Sequence, residues 1–172
     1  MPDLSLESGI HSRGIRLVAG VDEAGRGPLA GPVVAAAVIL HPDLTGSEPW
    51  LQSLDDSKKL SHTRQEHAAD IVHQHALAVG VGMVGPADID LMGIGHAALA
   101  AMLQAVGQLR LEPGHLLLDF IHVRECPYPY DTIVKGDSRS YSIAAASNVA
   151  KVTRDRLMVA AEATYPGYHF AK

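Results

Sequence analysis

Short apolar runs alternate with longer amphipathic stretches along this chain. The runs at residues 17–21 and 33–40 predict two strands, the second rich in β-branched residues, joined by a loop that contains glycine and proline. Residues 77–84 form a third β candidate. Residues 115–119 and 132–137 are typical of short buried strands that each end on a carboxylate. The chain therefore contains enough strand segments for a sheet.

Helical periodicity occupies the segments between and after these strands. Residues 61–76 carry apolar side chains at helical spacing, with Ser61 as the predicted N-cap. An Ala- and Leu-rich stretch predicts one long helix over residues 86–109, and residues 140–163 predict a final helix. Because strands alternate with helices, the pattern predicts an α/β fold with a mixed sheet that is flanked by helices on both faces.

Length and composition limit the domain organisation. The chain has 172 residues and a hydrophobic content of 47%, which fits one domain with a sizeable core. Residues 1–14 are polar and lack periodicity, so we expect a flexible N-terminal tail followed by one globular domain over residues 15–172. The single cysteine, Cys126, excludes an internal disulfide, and cytoplasmic localisation is expected.

Composition constrains the partners less strictly. The apolar runs are far shorter than the roughly 20 residues that a membrane-spanning helix needs, so no membrane partner is expected. A formal net charge of −5 disfavours an extended basic surface for nucleic acid. It does not exclude nucleic acid, because a carboxylate cluster adds negative charge and a bound divalent cation reverses the local field.

Acidic residues stand at the ends of three predicted strands. Asp22 and Glu23 follow the first strand, and Asp119 and Asp137 end two later ones. Any one of them alone is more often a turn residue. If the strands are neighbours, however, the carboxylates converge, and a divalent cation relieves their repulsion. Hard oxygen ligands favour Mg²⁺ or Mn²⁺, and two such ions about 3.5–4 Å apart serve phosphodiester hydrolysis.

The loop after the first strand admits other interpretations. Its residues Gly25, Arg26 and Gly27 belong to a Gly-x-Gly-x-x-Ala segment that ends at Ala30 and formally matches a dinucleotide-binding fingerprint. That motif requires a helix immediately afterwards, whereas a β-branched run from Val33 follows here. The other alternative is a plain glycine-rich turn with a solvated arginine, and it leaves the adjoining acids unexplained.

Five segments together resemble the type 2 ribonuclease H family, specifically bacterial ribonuclease HII. They occur in the family's order and cover most of the chain from Ile15 to Lys172. In one-letter code they are GVDEAGRGP from Gly20, DSKKL from Asp56, LLD from Leu117, KGDS from Lys135 and AASNVAKVTRD from Ala145.

The resemblance implies a fold and an activity. The fold would be ribonuclease H-like, and the reaction would be endonucleolytic cleavage of RNA in RNA–DNA hybrids and at single ribonucleotides embedded in duplex DNA. Cleavage would leave a 3′-hydroxyl and a 5′-phosphate. By the same likeness, Asp22, Glu23, Asp119 and Asp137 are the catalytic acids that hold two Mg²⁺ or Mn²⁺ ions.

The resemblance also implies which residues contact the substrate. Gly25, Arg26 and Gly27 match the family's loop that reads the 2′-hydroxyl at the RNA–DNA junction. Lys58 and Ser138 are further candidates for substrate contact. The motif's Asp155 is at least as well explained by an ion pair on the helix surface.

The end of the chain departs from the family's pattern. The sequence stops at Lys172, where the family continues into a Lys-Gly-Tyr segment and further helices. The resemblance therefore implies a catalytic domain over residues 15–172 that is truncated at its C-terminus. We expect the chain to be a monomer. A catalytically impaired fragment that retains metal or hybrid binding is the alternative function.

Overall fold

The computed structural model describes residues 1–54, 61–119, 121 and 123–171. A five-stranded sheet with the order β3-β2-β1-β4-β5 forms its centre. β2 pairs antiparallel with both β1 and β3, whereas β4 lies parallel to β1 and to β5. This confirms the predicted mixed sheet. The strands are β1 (Val18–Ala24), β2 (Val33–Ile39), β3 (Ala78–Val84), β4 (His115–Asp119) and β5 (Tyr130–Ile133).

Helices cover both faces of the sheet, as the sequence predicts. Alternate residues of β2 show the two layers, because Ala35 and Ala37 pack with buried residues of α4 while Ala36 and Val38 pack with those of α5 and α2. This burial on both faces explains why β2 is a continuous apolar run. The helices are α1 (Ser5–His11), α2 (His62–His75), α3 (Pro86–Met92), α4 (Ile94–Gly107) and α5 (Tyr141–Thr164).

The prediction of one helix over residues 86–109 was wrong. Two helices, α3 and α4, occupy this segment and meet at Gly93, whose φ of +82° lies outside the helical region. Glycine adopts this conformation without the steric cost that a Cβ imposes, so the break falls there.

The prediction that Asp137 ends a strand was also wrong. β5 stops at Ile133, and Asp137 lies in a short 3₁₀ turn, Gly136–Ser138, that leads into α5. Lys135 has a left-handed backbone with φ of +54°, and this turns the chain away from the strand direction.

Part of the segment that we expected to be a flexible tail forms α1, which buries two of its side chains. Ile10 and Glu7 of α1 are each 3% exposed. The Glu7 carboxylate accepts hydrogen bonds from the Ser140 hydroxyl at 2.6 Å and from the Ser142 amide at 3.0 Å. The polar composition of the segment concealed these contacts, because the partners lie far away in sequence.

In the described part of the chain, no helix is both long enough and apolar enough to cross a membrane.

Candidate active site

The sheet register brings two of the predicted acids together. Val21 of β1 is the parallel partner of Leu118 of β4, so Asp22 and Asp119, the next residues, lie side by side at the ends of adjacent strands. Val21 and Leu118 both belong to the core beneath α4. Because side chains alternate along a strand, Asp22 and Asp119 are directed to the opposite face, toward α5.

Asp22 is the most buried of the four acids. It is 6% exposed, and its Oδ1 accepts a hydrogen bond from the Glu23 amide at 2.7 Å. Burial raises the pKa of Asp22 well above its usual range, and the nearby charges of Glu23 and Asp119 raise it further. A hydrogen bond from the Ser147 hydroxyl opposes this shift. The folded protein therefore holds this carboxylate in a place that disfavours its charge.

One carboxylate oxygen of Glu23 accepts a hydrogen bond, and the other lacks a hydrogen-bond partner among the described residues. Its Oε1 accepts a hydrogen bond from Arg26 at 3.2 Å. Its Oε2 is buried and finds no hydrogen-bond partner within the described residues. Burial raises the pKa of Glu23 and Asp119 adds to this, although Arg26 opposes it. A buried carboxylate oxygen without a donor costs free energy unless a cation faces it.

Asp119 accepts a hydrogen bond from the backbone of the residue that precedes Asp137. The Gly136 amide donates to Asp119 Oδ1 at 2.8 Å, and Asp137 is the next residue. Asp137 is partly buried but does not line the cleft that the other three acids share. Within the described ranges, no group of three or more His, Cys, Asp or Glu has the spacing to hold a metal ion.

Asp22, Glu23 and Asp119 open into a cleft of about 400 Å³ between the sheet end, α2 and α5. Four further residues line the cleft that were not predicted from the sequence: Gln65, Ser147, Lys151 and Arg154. The last three follow helical spacing within the AASNVAKVTRD motif that starts at Ala145, so periodicity places them on one face of α5. Gln65 carries no such signal. The lining residues are Asp22, Glu23, Ala24, Gly25, Pro28, Gln65, Asp119, Ser147, Lys151 and Arg154.

The glycine-rich loop borders this cleft. It joins β1 to the antiparallel strand β2 with no helix after it, so the dinucleotide-binding interpretation was wrong. Gly25 has φ of +106°, and a Cβ there would lie 2.5 Å from Arg154 Nε. Gly27 is exposed, and a Cβ there would meet nothing within 4 Å. Arg26, whose side chain is 43% exposed, pairs with Glu23.

The remaining candidates have different surroundings. Lys58 lies outside the described residues. Ser138 is exposed, and its hydroxyl donates to the Lys135 carbonyl at 2.8 Å. Asp155 pairs with Lys151 at 2.5 Å one helical turn away, which is the ion pair that the sequence offered as its alternative.

Comparison with known proteins shows which protein family the chain belongs to. A sequence model of the family described as Ribonuclease HII matches residues 19–172. The chain belongs to the ribonuclease HII family. It is therefore a ribonuclease H, an endonuclease of the hydrolase class that acts on RNA–DNA hybrids.

The relatives agree over nearly the full chain. Ribonuclease HII of Geobacter sp. (strain M21) is 52% identical over 98% of this chain and 71% of its own length. That of Geobacter metallireducens is 53% identical over 98% of this chain and 76% of its own. The crystal structure of ribonuclease H2 from Pyrococcus horikoshii matches with a TM-score of 0.76 and 26% identity, over 88% of this chain and 78% of that one. The ribonuclease H-like fold is confirmed.

Proposed function

We propose that this ribonuclease HII family member cleaves the RNA strand of hybrids and single ribonucleotides embedded in duplex DNA, with divalent cations held by its strand-end acids. The observation that carries the proposal is the meeting of Asp22, Glu23 and Asp119 in one cleft beside the loop that contains Gly25 and Gly27. Carboxylates next to an exposed glycine suit a phosphate backbone that must come close to both.

The chemistry of the donor atoms, though not their present spacing, fits a divalent cation. All the donors are hard carboxylate oxygens, which Mg²⁺ and Mn²⁺ prefer. Glu23 Oε2 is buried and lacks a hydrogen-bond partner within the described residues. The raised pKa values of Asp22 and Glu23 have burial as their largest cause, with Asp119 adding to both. A nearby cation would reverse these shifts.

Two ions would be held by the four acids, Asp22, Glu23, Asp119 and Asp137. When bound, the ions would activate a water for in-line attack at phosphorus and stabilise the departing 3′-oxygen. Scission of the bond between phosphorus and the 3′-oxygen leaves a 3′-hydroxyl and a 5′-phosphate. The Glu23 amide and the Ser147 hydroxyl orient the Asp22 carboxylate, and the Gly136 amide orients that of Asp119.

The loop residues Gly25, Arg26 and Gly27 would select the ribonucleotide. The open space above Gly27 lets a sugar approach the backbone, whose amide and carbonyl groups can bond a 2′-hydroxyl. Arg26 is half-exposed beside Glu23 and can move to a phosphate, as guanidinium groups often do. Lys58 and Ser138 stay further candidates for substrate contact.

The decisive test uses a duplex DNA with one ribonucleotide, incubated with Mg²⁺ or with Mn²⁺. We expect a single nick at the ribonucleotide and no nick when the cations are chelated. Asp22→Asn and Asp119→Asn should remove cleavage, whereas Asp88→Asn, a change at an exposed acid of α3, should not. Absence of any nick in the unaltered protein under both cations would refute the proposal.

Two observations favour the second candidate, a catalytically impaired protein that binds the hybrid without turnover. The described residues contain no three-ligand group with metal-holding geometry, and Asp137 lies outside the cleft lining. A titration with a hybrid duplex separates the two candidates, because affinity without cleavage supports the impaired protein. We further propose that the chain acts in the cytoplasm and as a monomer. Sedimentation at micromolar concentration would test the monomeric state.

A further inference from the structure

Arg154 of α5 is buried at the junction of the cleft and the glycine-rich loop. It is 8% exposed, and its side chain reaches across to the loop that connects β1 with β2. Its Nε donates to the Pro32 carbonyl at 2.9 Å, and its Nη2 donates to the Ala30 carbonyl at 2.7 Å. Both bonds therefore end on main-chain oxygens of one loop, more than 120 residues away in sequence.

The beginning of the loop packs on the same side chain. A Cβ at Gly25 would lie 2.5 Å from Arg154 Nε and 2.6 Å from the Pro32 carbonyl oxygen. A Cβ at Gly31 would lie 3.2 Å from Arg154 Nη2. The Arg154 side chain thus lies against the loop at its first glycine, Gly25, and at its last three residues, where it binds the carbonyls of Ala30 and Pro32. A planar group with several fixed donors is suited to this task, since lysine offers a single point charge.

We infer that Arg154 is the positioning residue of the substrate-reading loop: it fixes the path of residues 25–32 so that Gly25, Arg26 and Gly27 face the cleft. The inference rests on the proposed function, because that function gives the loop its role. Arg154 acts through the loop and not on the reacting atoms. Burying a guanidinium is costly unless its donors are bonded, and here the loop carbonyls satisfy two of them.

The test compares Arg154→Lys and Arg154→Gln with Arg156→Lys. Arg156 lies two residues further along α5, is exposed and pairs with Glu66, so it serves as a matched control on the same helix. Each variant is assayed for KM and kcat on the single-ribonucleotide duplex and for amide hydrogen exchange over residues 25–31 and over the strands.

We expect both Arg154 variants to raise KM by about 10- to 100-fold, because a small misplacement of a binding group has effects of this size. The value of kcat should fall by a smaller factor. Exchange of the loop amides should become faster while that of the strand amides stays unchanged. Arg156→Lys should leave all three quantities as in the unaltered protein.

Two results would overturn the inference. One is unchanged loop exchange in both Arg154 variants. The other is a fall in kcat with KM unchanged, which would make Arg154 a direct contact of the reacting phosphate. If the unaltered protein does not cleave the duplex, the proposed function fails, yet the exchange measurement still decides whether Arg154 holds the loop.

Discussion

A buried carboxylate next to two others is the main electrostatic feature of this protein. Asp22 is 6% exposed, and its pKa is raised well above its usual value because burial and the charges of Glu23 and Asp119 disfavour ionisation. At neutral pH the folded protein without cations therefore carries unfavourable electrostatic energy at this point. Under the proposed function, cleavage needs the Asp22 carboxylate although stability does not.

Asp22→Asn should raise the unfolding free energy of the cation-free protein by about 0.5–2 kcal/mol, because it removes one charge from a crowded site. It should also abolish cleavage. Urea denaturation in the presence of a chelator measures the first effect, and Asp88→Asn is the control. A lower unfolding free energy in Asp22→Asn would contradict the electrostatic explanation.

The raised pKa of Asp22 also predicts how the stability of the cation-free protein depends on pH. A carboxyl whose folded pKa is raised binds its proton more tightly in the folded state, so its contribution to stability is greatest below the unfolded pKa of about 3.8. The contribution is lost as the pH rises through the folded pKa. Between pH 4 and neutrality, the cation-free protein should therefore lose stability relative to Asp22→Asn, as paired denaturation curves would show. Parallel pH profiles would rule this out.

The two loop glycines should respond differently to substitution. Gly25→Ala places a Cβ at φ of +106° against Arg154, so it should lower the unfolding free energy by about 1–3 kcal/mol. Gly27→Ala meets open space and should change it by less than about 0.5 kcal/mol. Both variants should raise KM. If Gly27→Ala leaves KM unchanged, the loop does not approach the substrate at that residue.

Among the secondary-structure elements, α1 has a role that its composition conceals. Its Glu7 accepts three hydrogen bonds, from the Ser140 hydroxyl and from the amide and hydroxyl of Ser142. These residues start α5, directly after the turn that carries Asp137. Because a carboxylate at the start of a helix bonds amides that lack helical partners, α1 anchors the first turn of α5.

Glu7→Ala should therefore lower the unfolding free energy by about 2–3 kcal/mol, since it leaves buried donors unsatisfied. Glu7→Gln keeps one acceptor oxygen and should have a smaller effect. Chemical denaturation measures both, with Glu112→Ala at an exposed position as the control. Equal stability of Glu7→Ala and the control would mean that α1 does not anchor α5.

The elements differ in how well local pattern predicts them. β2 and α5 were predicted almost to the residue, because one is a continuous apolar run buried on both faces and the other is a long helix with a Ser140 N-cap. The break at Gly93 and the left-handed Lys135 were missed. Both depend on a single backbone conformation, which periodicity does not report.

The molecule as a unit depends on close contact between α5 and the sheet. A Cβ at Gly20 of β1 would lie 2.1 Å from the Ser142 carbonyl carbon, so α5 rests directly on the strand that carries Asp22. The same helix supplies Ser147, Lys151 and Arg154 to the cleft. A change in this contact would therefore displace the acids of β1 relative to the side chains of α5 that line the cleft.

Gly20→Ala should push α5 away from β1 and lower both stability and activity. Overpacking of this kind costs about 1–3 kcal/mol in unfolding free energy. Gly9→Ala is the control, because a Cβ there meets nothing within 4 Å and alanine favours the helix. Thermal unfolding and the nicking assay measure the two effects. Full activity in Gly20→Ala would show that the cleft does not depend on this contact.

The linear order of residues was sufficient for the family, the fold class and three of the strand-end acids. Those features are local: apolar runs, helical spacing and short motifs are visible in neighbouring residues. The position of Asp137 in a turn, the anchoring of α5 by Glu7 and the grip of Arg154 on the loop became visible only in the folded chain. Each depends on groups distant in sequence, and their separation in space is set by packing, which no local pattern records.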